Sequence, residues 1–240
     1  MQLIVCKNQE EMSEKCARLI AAQVCLKPNC VLGLATGSTP LGTYACLAEM
    51  YKKGDVDFSG VTTFNLDEYY PISSVDPNSY HVYMKANLFD KVNVPPENIH
   101  ILNGETTDPE AECAAFEEAI KKSGGIDLQL LGIGENGHIG FNEPDISLSA
   151  ATHLTYLTES TVKANSRFFK TESDVPDRAL TMGISTILKA KKIILLASGK
   201  KKHNAVMSLL TKDILTESPA TMLKVHNDAV IICDKEAYEG

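Results

Sequence analysis

Long apolar stretches, paired cysteines and a basic excess are all missing from this sequence of 240 residues. No apolar run approaches the roughly 18 residues that a membrane span needs, and the N-terminus turns from apolar to charged by Lys7, unlike a signal peptide. The seven cysteines form no C-x-x-C pair and no zinc spacing, which predicts reduced thiols that serve mostly as small core residues. We therefore expect a cytoplasmic protein with no membrane partner and no metal site.

The charge balance argues against a nucleic-acid partner. Asp and Glu number 31 against 23 Lys and Arg, so the net charge is −8, whereas electrostatic binding of nucleic acid needs a basic face. A small anionic ligand is still compatible with this charge, because a local nest of backbone amides can bind phosphate on an acidic protein.

Short apolar runs alternate with amphipathic helical patterns along the whole chain. The runs lie at 3–6, 31–36, 61–66, 99–102, 126–134, 192–198 and 228–233. This alternation predicts βαβ units and a single α/β domain over residues 1–240, with an open, mostly parallel sheet. Because the predicted strands are apolar almost throughout, we expect helices on both faces of the sheet.

Residues 144–177 interrupt this rhythm. The segment is rich in Ser and Thr and contains one predicted helix near residues 159–169. A long excursion in a compact domain is often a lid or a binding loop, and an ordinary surface crossover is the alternative interpretation.

The second predicted strand ends in the motif ATGSTPLGTY. Thr39 is a suitable N-cap, and Pro40 suits the first position of a helix, where its missing N–H costs nothing. The amides of Gly37, Ser38 and Thr39 would then lie at a helix N-terminus, which predicts an anion site. The motif is not a Walker A sequence, and a plain strand-to-helix turn is the alternative.

The third predicted strand ends in FNLDEYYPI, where Asp67 and Glu68 follow Leu66. Two carboxylates at the carboxyl end of a strand could supply a general base. The alternative is a solvated turn before Pro71.

The motif LLGIGENGHIGFNEP contains the G-x-G-x-x-G spacing of a dinucleotide site, at Gly132, Gly134 and Gly137. In such a site the third glycine lies within a helix that packs on the strand. Here Pro144 comes seven residues after Gly137, and the residues between them show no helical repeat. The dinucleotide interpretation therefore fails in its structural context.

A loop that displays side chains explains this motif better. His138 can transfer protons near neutral pH, and a neighbouring carboxylate such as Glu143 can fix its tautomer. Asn136, His138 and Glu143 are therefore candidate catalytic residues, although a lone histidine is more often structural.

Two basic features complete the candidate set. Arg167 lies in the predicted helix of the 144–177 segment, and Lys200, Lys201 and Lys202 follow the sixth predicted strand. Lysines at the start of a helix oppose its dipole, which is easier to understand if an anion lies nearby. A solvated run of charge is the alternative.

Taken together, these motifs resemble the glucosamine-6-phosphate deaminase family. The resemblance rests on LGLATGSTPLGTY, TFNLDEYYP, NSYHVYMKANLF, LGIGENGHIGFNEP, TVKANSRFF, SGKKK and SPATMLKVH, which occur in family order and cover nearly the whole chain. It implies a Rossmann-like fold and the conversion of glucosamine 6-phosphate and water to fructose 6-phosphate and ammonia. No redox cofactor or metal is expected for this chemistry.

The resemblance also implies catalytic roles. Asp67 would be the base that moves the C2 proton to C1 through an enolamine. His138 would open the sugar ring, oriented and tuned by Asn136 and Glu143.

The same resemblance implies how the 6-phosphate is held. The amides and hydroxyls of Gly37, Ser38 and Thr39 would bind it, with Arg167 and Lys202 as counter-charges.

Asn136 departs from the pattern of longer family members, which have Asp at this position. A carboxamide can neither take a proton nor stabilise an imidazolium electrostatically. We expect Asn136 to orient His138 or the substrate, with Glu143 as the remaining acidic partner, as in a short-chain branch of the family.

A second departure concerns regulation. Hexameric members bind N-acetylglucosamine 6-phosphate at subunit interfaces through basic residues 10 and 12 positions after the ring-opening Glu, where this chain has His153 and Thr155. Ile146 also replaces a serine, and no longer C-terminal tail follows Gly240. We therefore expect a monomer without this allosteric activation.

Two other functions remain as alternatives. A 6-phosphogluconolactonase would use a similar fold, phosphate loop and histidine loop, but LDEYYP and FNEP favour the deaminase. A non-catalytic sugar-phosphate sensor domain of a bacterial regulator would come with a helix-turn-helix and a basic face, and neither is expected here.

Overall fold

Ten strands and eight α-helices are present in the computed structural model of the protein, which describes residues 1–166 and 169–240. The strands are β1 (Gln2–Cys6), β2 (Val31–Leu34), β3 (Thr62–Asn65), β4 (Asp67–Tyr70), β5 (Ile99–His100), β6 (Leu128–Gly132), β7 (His153–Tyr156), β8 (Arg178–Thr181), β9 (Lys192–Ala197) and β10 (Ala229–Asp234). The helices are α1 (Gln9–Leu26), α2 (Leu41–Lys53), α3 (Tyr80–Asn87), α4 (Pro109–Lys122), α5 (Glu159–Asn165), α6 (Ile184–Leu188), α7 (His203–Leu210) and α8 (Lys235–Glu239).

Seven of the described strands form a parallel sheet in the order β1-β10-β9-β6-β2-β3-β5. Each of the seven predicted apolar runs corresponds to one of these strands, so the prediction of a Rossmann-like parallel sheet is confirmed. After β2 the chain adds β3 and then β5 on one side of β2, and it then crosses to add β6 on the other side. The order therefore reverses between β2 and β6, which is where open α/β sheets bind ligands.

The centre of this sheet is covered on both faces. Every residue of β2 and of β10 is buried, as expected for parallel strands between helical layers. On α1 the buried side chains include Met12, Cys16 and Ile20, which share one face of the helix because they are four residues apart. Asn8 begins this helix by accepting a hydrogen bond from the amide of Glu11 at 2.9 Å.

Five of the seven cysteines are buried, and all seven are free thiols. The five buried cysteines serve as small core residues, as the sequence predicted for most of the seven. Within residues 1–166 and 169–240, no helix combines the length and the apolar character needed to cross a membrane.

A second, antiparallel sheet of three strands was not predicted. In it β8 lies between β4 and β7, so that Thr181 pairs with both Asp67 and His153. The described residues of the 144–177 segment supply β7 as well as α5, whereas the sequence predicted a single helix near 159–169. All four residues of β7 are partly or fully exposed, which explains why no apolar run indicated this strand.

Candidate active site

A pocket of about 510 Å³ lies at the carboxyl ends of the parallel strands, and we call it the strand-end pocket. Its walls come from the loops after β2, β3, β6 and β9, from α5, and from single residues of α3 and α8. Most of the predicted site residues line it, namely Gly37, Ser38, Thr39, Asp67, Asn136, His138 and Lys202. Arg167 lies outside the described residues.

The loop after β2 is held in place by two tyrosines. Gly37 has φ +95°, a left-handed conformation that favours glycine. The hydroxyl of Tyr83 donates to the carbonyl of Gly37 at 2.6 Å. The hydroxyl of Tyr44 donates to the carbonyl of Ala35 at 2.5 Å and accepts from the amide of the same residue at 3.2 Å. This loop is therefore preorganised before any ligand binds.

The predicted cap of the following helix was wrong by one position. The structure places Pro40 at the N-cap of α2, with no side-chain hydrogen bond to cap the helix, whereas the sequence suggested Thr39 at the cap and Pro40 inside. The backbone of Pro40 is already helical, with φ −80° and ψ −7°. The feature that matters for an anion is unchanged, because residues 37–39 still lead directly into the N-terminus of α2.

Lys200–Lys202 form a short 3-10 helix that leads into α7, and all three lysines line the strand-end pocket. The turn before them is held by Asp234, which accepts hydrogen bonds from the hydroxyl of Ser198 at 2.5 Å and from the amide of Gly199 at 3.1 Å. The predicted cationic cluster is thus placed at the pocket on a fixed turn.

Asp67 is a buried carboxylate that lines the strand-end pocket. It is 6% exposed, and its burial, followed by the negative charge of Glu68, raises its pKa to about 8. A carboxyl group with a pKa near neutrality is well matched to taking up and returning a proton. Since Asp67 begins β4 and pairs with Thr181, its backbone is fixed by the small sheet.

Glu68 has a different environment, although the sequence presented it beside Asp67 as a second acidic group. It is fully buried, and its carboxylate accepts hydrogen bonds from the amides of Tyr80 at 2.9 Å and His81 at 3.1 Å. Nδ1 of His81 lies 2.9 Å from the same carboxylate. Glu68 therefore holds the N-terminus of α3 against β4 and does not line the pocket.

The loop after β6 displays side chains and does not form a dinucleotide site. No helix occurs between residues 133 and 152, all of which the structure describes. A Cβ atom on Gly134 would lie only 2.4 Å from the ring of His138. A glycine is needed here because the imidazole packs directly against the backbone.

Asn136, His138 and Glu143 form one cluster. The side-chain amide of Asn136 donates to Oε2 of Glu143 at 2.8 Å, and its oxygen accepts from the amide of His138 at 3.2 Å. Nδ1 of His138 lies 3.3 Å from Oε2 of Glu143, close enough for an ion pair when the ring is protonated, but its angles are not those of a hydrogen bond. Glu143 lies behind the pocket lining, with 8% of its side chain exposed.

Burial opposes the ionisation of Glu143, but its neighbours reverse that effect. The contact with His138 and hydrogen bonds from Thr161 and Asn136 together lower the pKa of Glu143 to about 2. Glu143 is therefore an anion at neutral pH. It can orient the imidazole and stabilise its protonated form, as predicted for the acidic partner.

Among the pocket residues that sequence reasoning did not single out, Tyr80 and Thr161 lie close to the predicted catalytic groups. Burial, followed by the neighbouring Tyr69 and Asp67, raises the pKa of Tyr80 well above its ordinary range, so its phenol stays neutral. Tyr80 belongs to the motif NSYHVYMKANLF, which contributed to the family resemblance but did not indicate a chemical role for any of its residues. Thr161 reaches the cluster from α5, a contact that no local pattern indicates.

The chain matches the family described as Glucosamine-6-phosphate isomerases/6-phosphogluconolactonase over residues 7–232. The protein belongs to this family. Members named glucosamine-6-phosphate deaminase include that of Halothermothrix orenii, 56% identical over 99% of this chain and 98% of its own length. The member of the same name from Clostridium acetobutylicum is 54% identical over 99% of this chain and 98% of its own length.

One solved structure agrees with this assignment, and a second shares the fold. A monomeric glucosamine-6-phosphate deaminase superposes with a TM-score of 0.97 at 47% identity, covering 99% of this chain and 98% of its own. A 6-phosphogluconolactonase from Thermotoga maritima superposes with a TM-score of 0.77 at 20% identity, covering 98% of this chain and 99% of its own. The second likeness shows the shared fold alone.

Proposed function

We propose that the protein is a cytoplasmic glucosamine-6-phosphate deaminase of amino-sugar catabolism, which converts glucosamine 6-phosphate and water to fructose 6-phosphate and ammonia. The observation that carries this proposal is the content of one pocket: a buried carboxyl group with a pKa of about 8, an imidazole with a carboxylate partner, and the loop and lysines suited to a phosphate. The names of relatives at 54% and 56% identity support it.

The phosphate group would anchor the substrate. Residues 37–39 precede α2, a helix of 13 residues whose N-terminal dipole favours an anion. Lys202 lines the same pocket and would supply a positive charge. Arg167, which lies outside the described residues, is proposed from the family resemblance as a second counter-charge.

His138 would open the sugar ring. It takes the proton of the anomeric hydroxyl and delivers a proton to the ring oxygen while the bond between C1 and that oxygen breaks, which leaves an aldehyde at C1. Glu143 balances the charge of the imidazolium during this step, and Asn136 keeps Glu143 in place.

Asp67 would then move the proton between carbons. It takes the proton from C2, and the electron pair of that bond forms the C1–C2 double bond of an enolamine as the aldehyde oxygen gains a proton from solvent. When Asp67 returns its proton to C1 and the nitrogen lone pair forms a C2 imine, water adds at C2. Ammonia leaves and the ketone of fructose 6-phosphate remains.

The proposal is tested by incubating the protein with glucosamine 6-phosphate and measuring ammonia and fructose 6-phosphate together. Equal amounts of both products are expected. Neither product, or ammonia without the ketose, would reject the assignment. Hydrolysis of 6-phosphogluconolactone in place of deamination would favour the lactonase alternative.

An Asp67→Asn variant tests the base. It should bind the sugar phosphate but show no exchange of the C2 proton with solvent deuterium. Exchange at the wild-type rate would remove Asp67 from this role.

We further propose that the protein is a monomer without activation by N-acetylglucosamine 6-phosphate. Thr155 carries no charge, and burial lowers the pKa of His153, so the positions that are basic in hexameric members supply no cation near neutral pH. Sedimentation should give the monomer mass, and the substrate curve should be hyperbolic. A sigmoidal curve that N-acetylglucosamine 6-phosphate makes hyperbolic would contradict the proposal.

A further inference from the structure

The two oxygens of Glu143 are held by different parts of the chain. Oε2 accepts from the amide of Asn136 at 2.8 Å and lies 3.3 Å from Nδ1 of His138. Oε1 accepts a hydrogen bond from the hydroxyl of Thr161. Thr161 lies on α5, 18 residues further along the chain, so the 144–177 segment contacts the carboxylate that faces the histidine.

The direction of the Thr161 hydroxyl is set by Thr158. Thr158 is the N-cap of α5, and its hydroxyl accepts from the amide of Thr161 at 3.3 Å and donates to the hydroxyl oxygen of Thr161 at 3.2 Å. Because the Thr161 oxygen already receives that proton, its own proton is directed to Glu143. With Thr161 only 5% exposed, water competes little for this bond.

A carboxylate held at one oxygen can still turn about its terminal bond, whereas a carboxylate held at both oxygens cannot. We infer that Thr161 is a positioning residue for ring opening, because its bond to Oε1 keeps Oε2 of Glu143 directed at the imidazole of His138. The orientation of the His138 ring then depends on the position in which α5 packs at the pocket. This inference rests on the proposed function, since the role of His138 is part of it.

Ring opening can be measured separately from deamination in an Asp67→Asn background. That variant cannot take the C2 proton, so bound glucosamine 6-phosphate only opens and closes, and closure on the opposite face of C1 interconverts its two anomers. NMR exchange spectroscopy measures the rate of this interconversion. Thr161→Val removes the hydroxyl at nearly constant volume, Thr161→Ser keeps it, and Thr161→Ala removes it without adding a methyl group to a buried site.

A matched control comes from Thr155 of β7. Its hydroxyl donates to the carbonyl of Tyr156 at 3.4 Å, away from Glu143, in the same inserted segment. Thr155→Val therefore removes a threonine hydroxyl from the segment without touching the cluster.

Anomer exchange should fall about tenfold or more in Thr161→Val and Thr161→Ala, and Thr161→Ser and Thr155→Val should stay within about threefold of the parent. In the wild-type background kcat should fall with the same pattern while KM stays nearly constant. Equal exchange rates in Thr161→Val, Thr161→Ala and the parent would overturn the inference while deamination by the wild type still stood.

A parent that does not accelerate anomer exchange above buffer would overturn both the inference and the ring-opening role of His138. If anomer exchange fell as much in Thr161→Ser as in Thr161→Val, the inference would also be contradicted, because the hydroxyl would then not be the group that positions Glu143. Absence of ammonia release by the wild type is the separate outcome that rejects the proposed function.

Discussion

Asp67 and Glu68 are adjacent in the chain, but their carboxylates have different partners. Asp67 lines the strand-end pocket, while Glu68 accepts hydrogen bonds from the amides of Tyr80 and His81 at the start of α3. The alternation of side chains along β4 separates them. One carboxyl group is therefore left for chemistry, and its burial, followed by the charge of the neighbouring Glu68, raises its pKa.

Replacing Asp67 should change how stability depends on pH. The pKa of Asp67 is about 8 in the folded protein against an ordinary value of 3.8, so between these values the folded state holds a proton that the unfolded chain has lost. This contribution falls as the pH rises, by up to about 1.4 kcal/mol per pH unit. Asp67→Asn should remove it, so the difference in unfolding free energy between variant and wild type should grow from pH 5 to pH 7 in urea titrations. If the unfolding free energies of the variant and the wild type changed with pH in parallel, the raised pKa of Asp67 would be contradicted.

The pH dependence of catalysis should follow the same group. Asp67 acts as a base only when ionised, so kcat/KM should rise with pH through about 8. In Glu68→Gln the repulsion between the two carboxylates is gone, and the rising limb should move to lower pH. The variant also weakens the bonds to α3, at a cost of about 1–3 kcal/mol in unfolding free energy. A rising limb of kcat/KM that stays at the same pH or moves to higher pH in Glu68→Gln would contradict its assignment to Asp67.

A Gly37→Ala change should weaken phosphate binding. The left-handed backbone of Gly37, with φ +95°, would cost alanine about 1–2 kcal/mol, and because no atom lies within 4 Å of the added Cβ, that cost is backbone strain. KM for glucosamine 6-phosphate should rise several-fold while kcat changes less.

Gly54→Ala is the matched control for this change. Gly54 ends α2 with φ +81°, also with nothing within 4 Å of an added Cβ, and lies at the far end of the helix from the pocket. Gly54→Ala should lower the unfolding free energy by a similar amount and leave the KM for glucosamine 6-phosphate unchanged. An equal rise of KM in both variants would mean that the phosphate loop is not specifically involved.

His138→Gln should impair the cyclic substrate specifically. Removing the proton-transfer group should lower kcat by about 100-fold or more, while an open-chain alditol analogue of the amino sugar phosphate should bind with unchanged affinity. Calorimetry and steady-state assays measure these two effects. Loss of binding of the analogue would assign His138 to substrate binding in place of ring opening.

The large sheet and the loops around the pocket were predictable because their signals are local. Seven apolar runs predicted the seven parallel strands, and GSTP and ENGH marked the loops that reach the pocket. The cap of α2 was misplaced by one residue, because the carbonyl of Pro40 accepts the hydrogen bond from the amide of Tyr44 that begins the helix. The roles of Asp67 and His138 came from the family resemblance and stay predictions until the variants are measured.

The sequence by itself determined the parallel sheet, the family and which loops carry polar side chains, because apolar runs and glycine turns act over a few neighbouring residues. Only the tertiary structure decided what each polar group meets. It directed Glu68 to the amides of α3, 12 and 13 residues away, and brought Thr161 to Glu143 from 18 residues away. It also paired β4 with β8, more than a hundred residues further along the chain. Such contacts follow from the packing of distant segments, which leaves no periodic pattern in the chain, and at this site they determine which carboxylate is free to react and which is held in place.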